Sequence, residues 1–417
     1  MGEAGIEEDI YTVKLESLVY GGDAMGRLPD GRAVFVPHTL PGEVARVRLV
    51  EQKRGHARAE LLEVIEASPD RIQNAGPGGA PCPGCHYQHM PYPLQLSAKD
   101  AILREQLERI GGLVDPPLRP PIPSPEVWSY RNHIQLHMDE QGRLGYHEAR
   151  GNRVIPIQRD PLAEQPLNEV LGQLDLEPVP GLERVSLRLG MEEDILLVLE
   201  ASQPEAPELS VEDLDVSAVY VSPNGQLLMA GSDHVFMEAA GRAYKVSAQS
   251  FFQVNSRQAS RMVAYLLERL LLDPGCTLLE LYSGVGLFSA FFAPQVERMV
   301  AVEASPSAAA DFVENLDEFD NVELYEAPVE RALPGLEVKP DLILADPPRS
   351  GLGAKVIPQL LALESPLIAY ISCDPATLAR DASRLVGGGY RLEEITLIDM
   401  FPQTYHIESL SLWRLGK

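Results

Sequence analysis

From about residue 243 to the C-terminus the chain alternates short apolar runs with helical patterns, and this alternation limits the fold more than any other feature. Strand candidates are TLLELY (277–282), MVAVEA (299–304), VELYEA (322–327), LILADP (342–347), LIAYIS (367–372), RLEEITLIDM (391–400) and SLSLWRL (409–415). Helical patterns lie between many of them, notably at 256–272, 307–316 and 375–385. Repeated βα units require a mostly parallel sheet covered on both faces. The last two strands have no helix between them and can pair antiparallel. Seven strands in this order predict a Rossmann-like α/β domain, whose functional residues gather at the carboxyl ends of its strands.

Several of those strand ends carry candidate chemistry. In ELYSGVGLF (280–288) a strand runs into Gly284-Val285-Gly286 and then an apolar helix start, and glycine lets the backbone turn sharply beside a ligand. The third glycine of a dinucleotide fingerprint is missing, because Leu287-Phe288-Ser289 follows. Glu303 ends the next strand, where a carboxylate can accept from ribose hydroxyls. The pattern suits S-adenosylmethionine better than NAD, although a single GxG is a weak signal. DPPRSG (346–351) sets Asp346 at another strand end, with Pro347 and Pro348 restricting the backbone after it. Taken singly, it reads as an ordinary Asp-Pro turn. YISCDPATLARD (370–381) puts Cys373 between a strand and a helix start, where oriented N–H groups favour a thiolate and Asp374 opposes it. Glu408 stands near the start of the final strand.

The N-terminal part is different. Residues 13–15, 33–36, 43–49 and 57–65 read as strands, broken by Gly21-Gly22, Pro29-Asp30-Gly31 and Pro41-Gly42, which suggests a small barrel. Arg27, Arg32, Lys53, Arg54 and Arg58 could follow a nucleic-acid backbone from it or simply charge its surface. A Pro/Gly/Cys-rich linker (77–93) leads to a helical stretch at 98–110. From 116 to 240 short strands at 133–137, 154–157, 185–189, 195–199 and 218–221 predict a β-rich middle domain.

The charge balance of 35 basic against 61 acidic residues, net -26, argues against a whole-molecule electrostatic grip on nucleic acid. Any such partner must meet basic residues concentrated on one face. No run approaches the roughly 20 apolar residues of a membrane span. The acidic start MGEAGIEEDI lacks the apolar core of a secretory signal, and Ile6 stands where a myristoylation motif has Ser or Thr. Four cysteines in 417 residues do not make a disulfide framework, and a cytoplasmic protein is expected.

Together QSFFQVN (249–255), ELYSGVGLF, DPPRSG, SCDPATLARD and DMFPQTYHIES (399–409) resemble the ordered motifs of the RNA uracil-5-methyltransferase family, over essentially the whole chain. The segment GGDAMGRLPDGRAVFVPHTLPGEVARVRL resembles that family's TRAM module, an OB-like RNA-binding barrel, and WSYRNHIQLHM (128–138) resembles its Tyr-Arg-Asn segment. The resemblance implies a TRAM-like barrel at 8–67, a linker and central RNA-binding domain at 68–90 and 116–240, and a catalytic domain at 91–115 and 241–417. It implies Cys373 as nucleophile toward C6 of uracil, Glu408 as general base, and Asp346 as the residue that orients uracil and borders the cofactor. Gln253, Tyr282, Gly284 and Glu303 match cofactor contacts, and Arg131, Arg27, Lys53 and Arg54 are the candidate RNA contacts. RNA is the expected partner of a monomeric enzyme, ribosomal RNA ahead of transfer RNA. Many relatives hold an iron–sulfur cluster on four cysteines. Here Cys82 and Cys85 match two of them, while Gly76 and Asp160 stand at the other two positions, so no cluster is expected. Cys82, Cys85, His86 and His89 suit zinc by ligand type but are crowded, and no metal is expected there either. Two rivals are a transferase acting on another atom or a small molecule, and a non-catalytic RNA-binding protein.

Overall fold

The computed structural model describes residues 9–73, 82–148, 151–207 and 214–416. Ile6, Gly76 and most of the start of the linker lie outside them. The chain divides into two compact units, one of residues 1–105 with 401–406, the other of residues 106–400 with 407–417.

In the first unit, strands β1 (Ile10–Leu18), β2 (Asp23–Arg27), β3 (Ala33–Pro37), β4 (Val44–Gln52) and β5 (His56–Glu66) close into a barrel in the order β1-β2-β3-β5-β4. Alternation decides which residues fill it. Val13, Leu15, Val34, Val36, Ala45, Val47, Ala57 and Ala59 point inward and are almost wholly buried. Outward-facing Arg46 pairs with Glu63 across the sheet at 3.2 Å, and Arg48 pairs with Glu60. The fully buried Glu43 accepts from Leu40 N–H (2.9 Å), Ser68 N–H (3.2 Å) and Arg71 Nε (2.6 Å), which fixes the chain where it leaves the barrel. A helix, α1 (Tyr92–Arg109), follows.

The second unit holds two large sheets. After β6 (Leu118–Ile122) come β7 (His133–Met138), β8 (Leu144–His147), β9 (Val154–Pro156), α2 (Gln165–Gln173), β10 (Leu182–Leu189), β11 (Ile195–Ala201), β12 (Val216–Ser222) and β13 (Gly225–Ala230). Strands β7 to β13 form one sheet, in the order β13-β12-β11-β10-β7-β8-β9, around a core that includes Leu136, Leu187, Leu197 and Tyr220. A hairpin, β14 (His234–Ala239) and β15 (Arg242–Ser247), turns through Ala240 and Gly241, both at positive φ (52° and 78°), as a two-residue primed turn demands.

The remaining elements are α3 (Ser256–Arg269), β16 (Thr277–Leu281), α4 (Ser289–Phe292), β17 (Arg298–Glu303), α5 (Pro306–Asn315), β18 (Val322–Glu326), α6 (Val329–Ala332), β19 (Leu342–Ala345), α7 (Gly353–Ala362), β20 (Leu367–Ser372), α8 (Pro375–Gly387), β21 (Tyr390–Ile398) and β22 (Glu408–Leu415). They build an eight-stranded sheet in the order β18-β17-β16-β19-β20-β22-β21-β6. Strands β16 to β20 pair in parallel, and β22 runs antiparallel to both β20 and β21. Strand order reverses between β16 and β19, so a ligand crevice is expected at their carboxyl ends. The eighth strand, β6, was not legible in the sequence: its LRPPI carries two prolines, which only an edge position accommodates. The helix expected at 98–110 begins earlier, at Tyr92.

Candidate active site

The carboxyl ends of β16, β17, β19 and β20 and the start of β22 carry the candidate residues. Cys373 follows β20 directly and is partly exposed. β20 and β22 are in antiparallel register through the pair Ser372 and Ser409. Cys373 and Glu408 are the residues that adjoin this last pair, and the Glu408 charge acts on the Cys373 thiol. Glu408 is almost fully buried. Asp346 follows β19, its N–H donating to Leu281 C=O at 3.3 Å, and Gln253 Nε2 reaches its Oδ2 at 3.5 Å.

Burial and shared charge set the protonation of this group. Burial, reinforced by Asp346, holds the Glu408 carboxyl well above the usual range, while Arg349 pulls the other way. Burial pushes Asp346 up to about 7. The Cys373 thiol is pushed up to about 12, first by burial and then by Glu408 and Asp346, against Arg349. The sequence left the helix start and Asp374 in opposition at Cys373; in the folded chain the net direction is toward the neutral thiol. The α8 N-terminus is capped by Asp374, whose carboxylate accepts from the N–H groups of Ala376 (3.0 Å) and Thr377 (2.8 Å). Arg349, the cation of DPPRSG, was not singled out from the sequence, although its motif was.

On the cofactor side, Tyr282 follows β16 with φ 63°, a left-handed conformation unusual for a non-glycine residue, and its N–H donates to Val302 C=O at 2.9 Å. Gly284 N–H donates to Glu303 Oε2 at 2.8 Å, and Glu303 Oε1 accepts from the N–H groups of Ala304 and Ser305, each at 2.7 Å. Glu303 thus ties the end of β17 to the glycine loop after β16. Glu280 is buried beside them, accepts from Ser289 Oγ, and is raised to about 8 mainly by burial, with Asp346 and Glu303 adding to it. Glu303 supplies a carboxylate to the glycine loop, while Glu280 and Asp346 are held toward their protonated forms. The loop N–H that could cradle a phosphate is already committed to a carboxylate. Such a crevice disfavours a dinucleotide pyrophosphate and fits a cationic, ribose-bearing cofactor.

Two positioning elements emerge only in three dimensions. Asp381, in the second turn of α8, accepts from Leu352 N–H (2.8 Å), Tyr370 OH (3.0 Å) and Arg384 Nη1 (2.8 Å), which anchors the chain just after DPPRSG. Asn132 Nδ2 donates to Gln253 C=O (3.0 Å) and Ser256 Oγ (2.8 Å), fixing the backbone that presents Gln253.

The other candidates belong to other elements. Arg131 sits in the central sheet region with its side chain only 18% exposed, 3.9 Å from Asp160 and over the Tyr130 ring. Asp160 is buried and also accepts from Tyr146 OH (2.6 Å) and Leu162 N–H (2.8 Å), so this carboxylate closes a polar network. Arg27, Lys53 and Arg54 lie on the barrel and are exposed. Arg27 lies 3.8 Å from Glu16 and Lys53 2.8 Å from Glu51. Cys82 and Cys85 are bonded to each other, with Cα atoms 5.2 Å apart. The sequence had suggested no disulfide framework; this single short link forms because the two-residue spacing brings both within bonding reach. Nearby, His89 Nε2 lies 3.3 Å from Thr39 C=O and the His86 ring packs on Tyr405. No helix among the described residues is long and apolar enough to cross a membrane.

Comparison with known proteins now decides the family. A model of the tRNA (uracil-5-)-methyltransferase family matches residues 206–414, and a TRAM domain model matches residues 8–62. The chain belongs to the tRNA (uracil-5-)-methyltransferase family. It is 32% identical to a protein of Streptomyces avermitilis named as an uncharacterized RNA methyltransferase, over 96% of this chain and 97% of that one. A Streptomyces coelicolor protein of the same description is 33% identical, over 96% and 92%. Among solved structures, the tRNA (uracil-54, C5)-methyltransferase of Pyrococcus abyssi, in complex with S-adenosyl-L-homocysteine, superposes with a TM-score of 0.74 at 24% identity. That likeness covers 97% of this chain and all of the other, and is one of fold. As a member of this family the chain is an RNA methyltransferase.

Proposed function

We propose that this enzyme methylates C5 of a uridine in RNA through a covalent adduct on Cys373. The observation that supports the reading is that Cys373 and Glu408 adjoin the last paired residues of β20 and β22, with the Glu408 and Asp346 charges both acting on the Cys373 thiol. C5 of uracil is too weak a nucleophile to take a methyl group unaided, and covalent catalysis divides the step. The Cys373 thiol gives up its proton to solvent and Sγ adds to C6, while the C5–C6 π electron pair moves onto C5 and the C4 carbonyl as an enolate, from which C5 takes up the methyl group. S-adenosylmethionine, when bound, supplies the electrophilic methyl group. Glu408 then removes the proton from C5, and the Cys373–C6 bond breaks to regenerate the thiolate. A base for a carbon acid benefits from the raised basicity that burial confers on Glu408. Asp346, raised toward neutrality, can keep its proton and hydrogen-bond the uracil edge. Gln253, Tyr282, Gly284 and Glu303 would hold the cofactor; Glu303 has spent three acceptor directions on backbone N–H groups and retains one for a ribose hydroxyl.

The target base enters this buried cluster only if it leaves its stack. Arg27, Lys53 and Arg54 offer the barrel's contacts to backbone phosphates, and Arg131 acts through its hold on the Tyr-Arg-Asn segment. Ribosomal RNA, expected from the sequence resemblance, is the first substrate to test, and transfer RNA, printed in the family's name and in that of the archaeal structural neighbour, is the second.

The test is incubation with methyl-labelled S-adenosylmethionine and total RNA from cells lacking the gene, followed by nucleoside analysis. The expected product is 5-methyluridine, absent with Cys373→Ala. A different methylated nucleoside would remove the roles given to Cys373 and Glu408. Fractionating the labelled RNA by size separates ribosomal from transfer RNA.

A further inference from the structure

The end of the catalytic sheet opposite the active site holds a cavity of about 450 Å³ whose lining includes Arg119, Arg269, Arg391 and Arg414 with Glu393 and Glu394. Four guanidiniums face two carboxylates there, in a chain whose net charge is -26. Part of this cluster is structural. Glu394, 4% exposed, accepts from Arg269 Nε at 2.7 Å, from Tyr265 OH at 3.0 Å and from Arg119 Nε at 3.1 Å, which fastens the end of α3 to β21. The remainder exceeds what folding requires. Arg119, Arg391 and Arg414 have side chains 57%, 77% and 52% exposed, and ion pairs at such exposure contribute only about 0–1 kcal/mol.

A second observation points to a missing counter-charge. Arg391 and Arg414 are directly opposite each other in the antiparallel pairing of β21 and β22. Like charges in that position destabilise a sheet. A single carboxylate, Glu393, serves both, 2.7 Å from Arg414 Nε and 3.3 Å from Arg391 Nη2. Arg119 spends its Nε on Glu394. The larger part of the guanidinium N–H groups therefore has no protein partner among the described residues. Planar forks of this kind bind phosphate oxygens bidentately, and a bound phosphate would neutralise the opposed pair.

We propose that this arginine cavity is a second RNA contact, binding backbone phosphates of the substrate away from the reacting uridine. Arg414 lies six residues along β22 from Glu408, on the order of 20 Å at strand spacing. That span corresponds to about six phosphates along one strand of a duplex. An RNA that presents its target base to Cys373 and runs along the β21–β6 edge reaches both places. This contact also answers how so acidic a chain holds a polyanion: cations are concentrated at the place where the backbone passes. The inference rests on RNA as the substrate class, not on the chemistry at Cys373.

The experiment measures binding of a 20-base-pair RNA duplex, and of total bacterial RNA, to the full-length protein between 50 and 200 mM salt, without turnover. The variant is Arg119→Gln with Arg391→Gln and Arg414→Gln, and single Arg391→Gln serves if the triple variant melts early. Loss of three phosphate contacts should reduce the slope of log K against log salt by about 2–3 and weaken binding on the order of 100-fold at 100 mM salt. S-adenosylhomocysteine affinity should be unchanged, and KM for RNA should rise with kcat preserved. Inorganic pyrophosphate is titrated in parallel. If the variant loses pyrophosphate binding but keeps the RNA slope, the site serves a free phosphate ligand and the RNA assignment is overturned. If neither changes, the arginines are surface ion pairs and the proposal falls. Should the RNA slope drop while no 5-methyluridine forms, the phosphate site stands and the Cys373 mechanism fails on its own.

Discussion

The protonation of Cys373 can be tested quantitatively in the free enzyme. An ordinary thiol with a pKa near 9 is about one-tenth thiolate at pH 8, whereas a thiol held at about 12 is about one part in ten thousand thiolate. The reactive fraction is thus lower by roughly 10³. A more basic thiolate is also a better nucleophile, with a Brønsted coefficient of about 0.4–0.5, and over three pH units this recovers about 15–30-fold. The net expectation is alkylation of Cys373 by iodoacetamide at pH 8 roughly 50-fold slower than that of free cysteine. The pH profile separates this from simple crowding, because crowding lowers the rate without moving the break. The rate should still climb about tenfold per pH unit through pH 10, where free cysteine has levelled off. The only other unbridged cysteine, Cys276, is replaced by Ser so that labelling reports one site. Glu408→Gln removes the second-ranked cause of the shift, so its break should move to lower pH. A plateau below pH 9 in the parent, or an unmoved break in Glu408→Gln, would refute the claim that burial and the Glu408 and Asp346 carboxylates keep Cys373 a neutral thiol.

Four other outcomes follow from the same structure. Glu408→Gln should lower turnover by roughly 10²–10⁴ while the Cys373–RNA adduct accumulates on a denaturing gel; loss of turnover without adduct would place Glu408 before the addition step. Gly286→Ala should lower stability by about 2–4 kcal/mol in urea titration, because φ is 90° and the added Cβ would lie 2.2 Å from Leu316 Cδ1, whereas Gly284→Ala, with no atom within 4 Å of its Cβ, should cost only about 1–2 kcal/mol from its left-handed backbone. Asp160→Ala leaves the largely buried Arg131 without its counter-ion and should destabilise the fold by roughly 3–5 kcal/mol, also read by urea titration. Glu280 is raised to about 8, so between its ordinary value and pH 8 the folded state holds a proton that the unfolded chain has released. Folding stability should therefore fall as pH rises through that window, and Glu280→Gln should flatten the fall in Tm between pH 5 and 8.

Much of this molecule was legible in the sequence, and the reasons differ by element. The alternation of apolar runs and helical patterns after residue 243 specifies parallel strands, because crossover helices need both faces of a sheet. It therefore located Glu303, Asp346 and Cys373 at strand ends before any coordinates. The barrel was legible because period-two burial and glycine turns are local signals. β6 escaped, because its prolines contradict strand propensity and only the sheet edge tolerates them. Asp381 and Asn132 escaped because their acceptors and donors lie far along the chain, at Leu352 and Gln253.

What the sequence could not decide was the balance of opposing electrostatic effects at Cys373. It showed a cysteine at a helix start, an arrangement that lowers a thiol pKa. Only the folded chain buries the thiol and brings the Glu408 and Asp346 charges to bear on it, and together these raise it. The same holds for charge as a whole. Composition records an excess of 26 negative charges, but only the pairing of β21 with β22 sets Arg391 against Arg414 at one end of the sheet. Residue identity and local pattern determine most of the secondary structure, whereas the field at a given atom depends on distances that long-range packing alone sets.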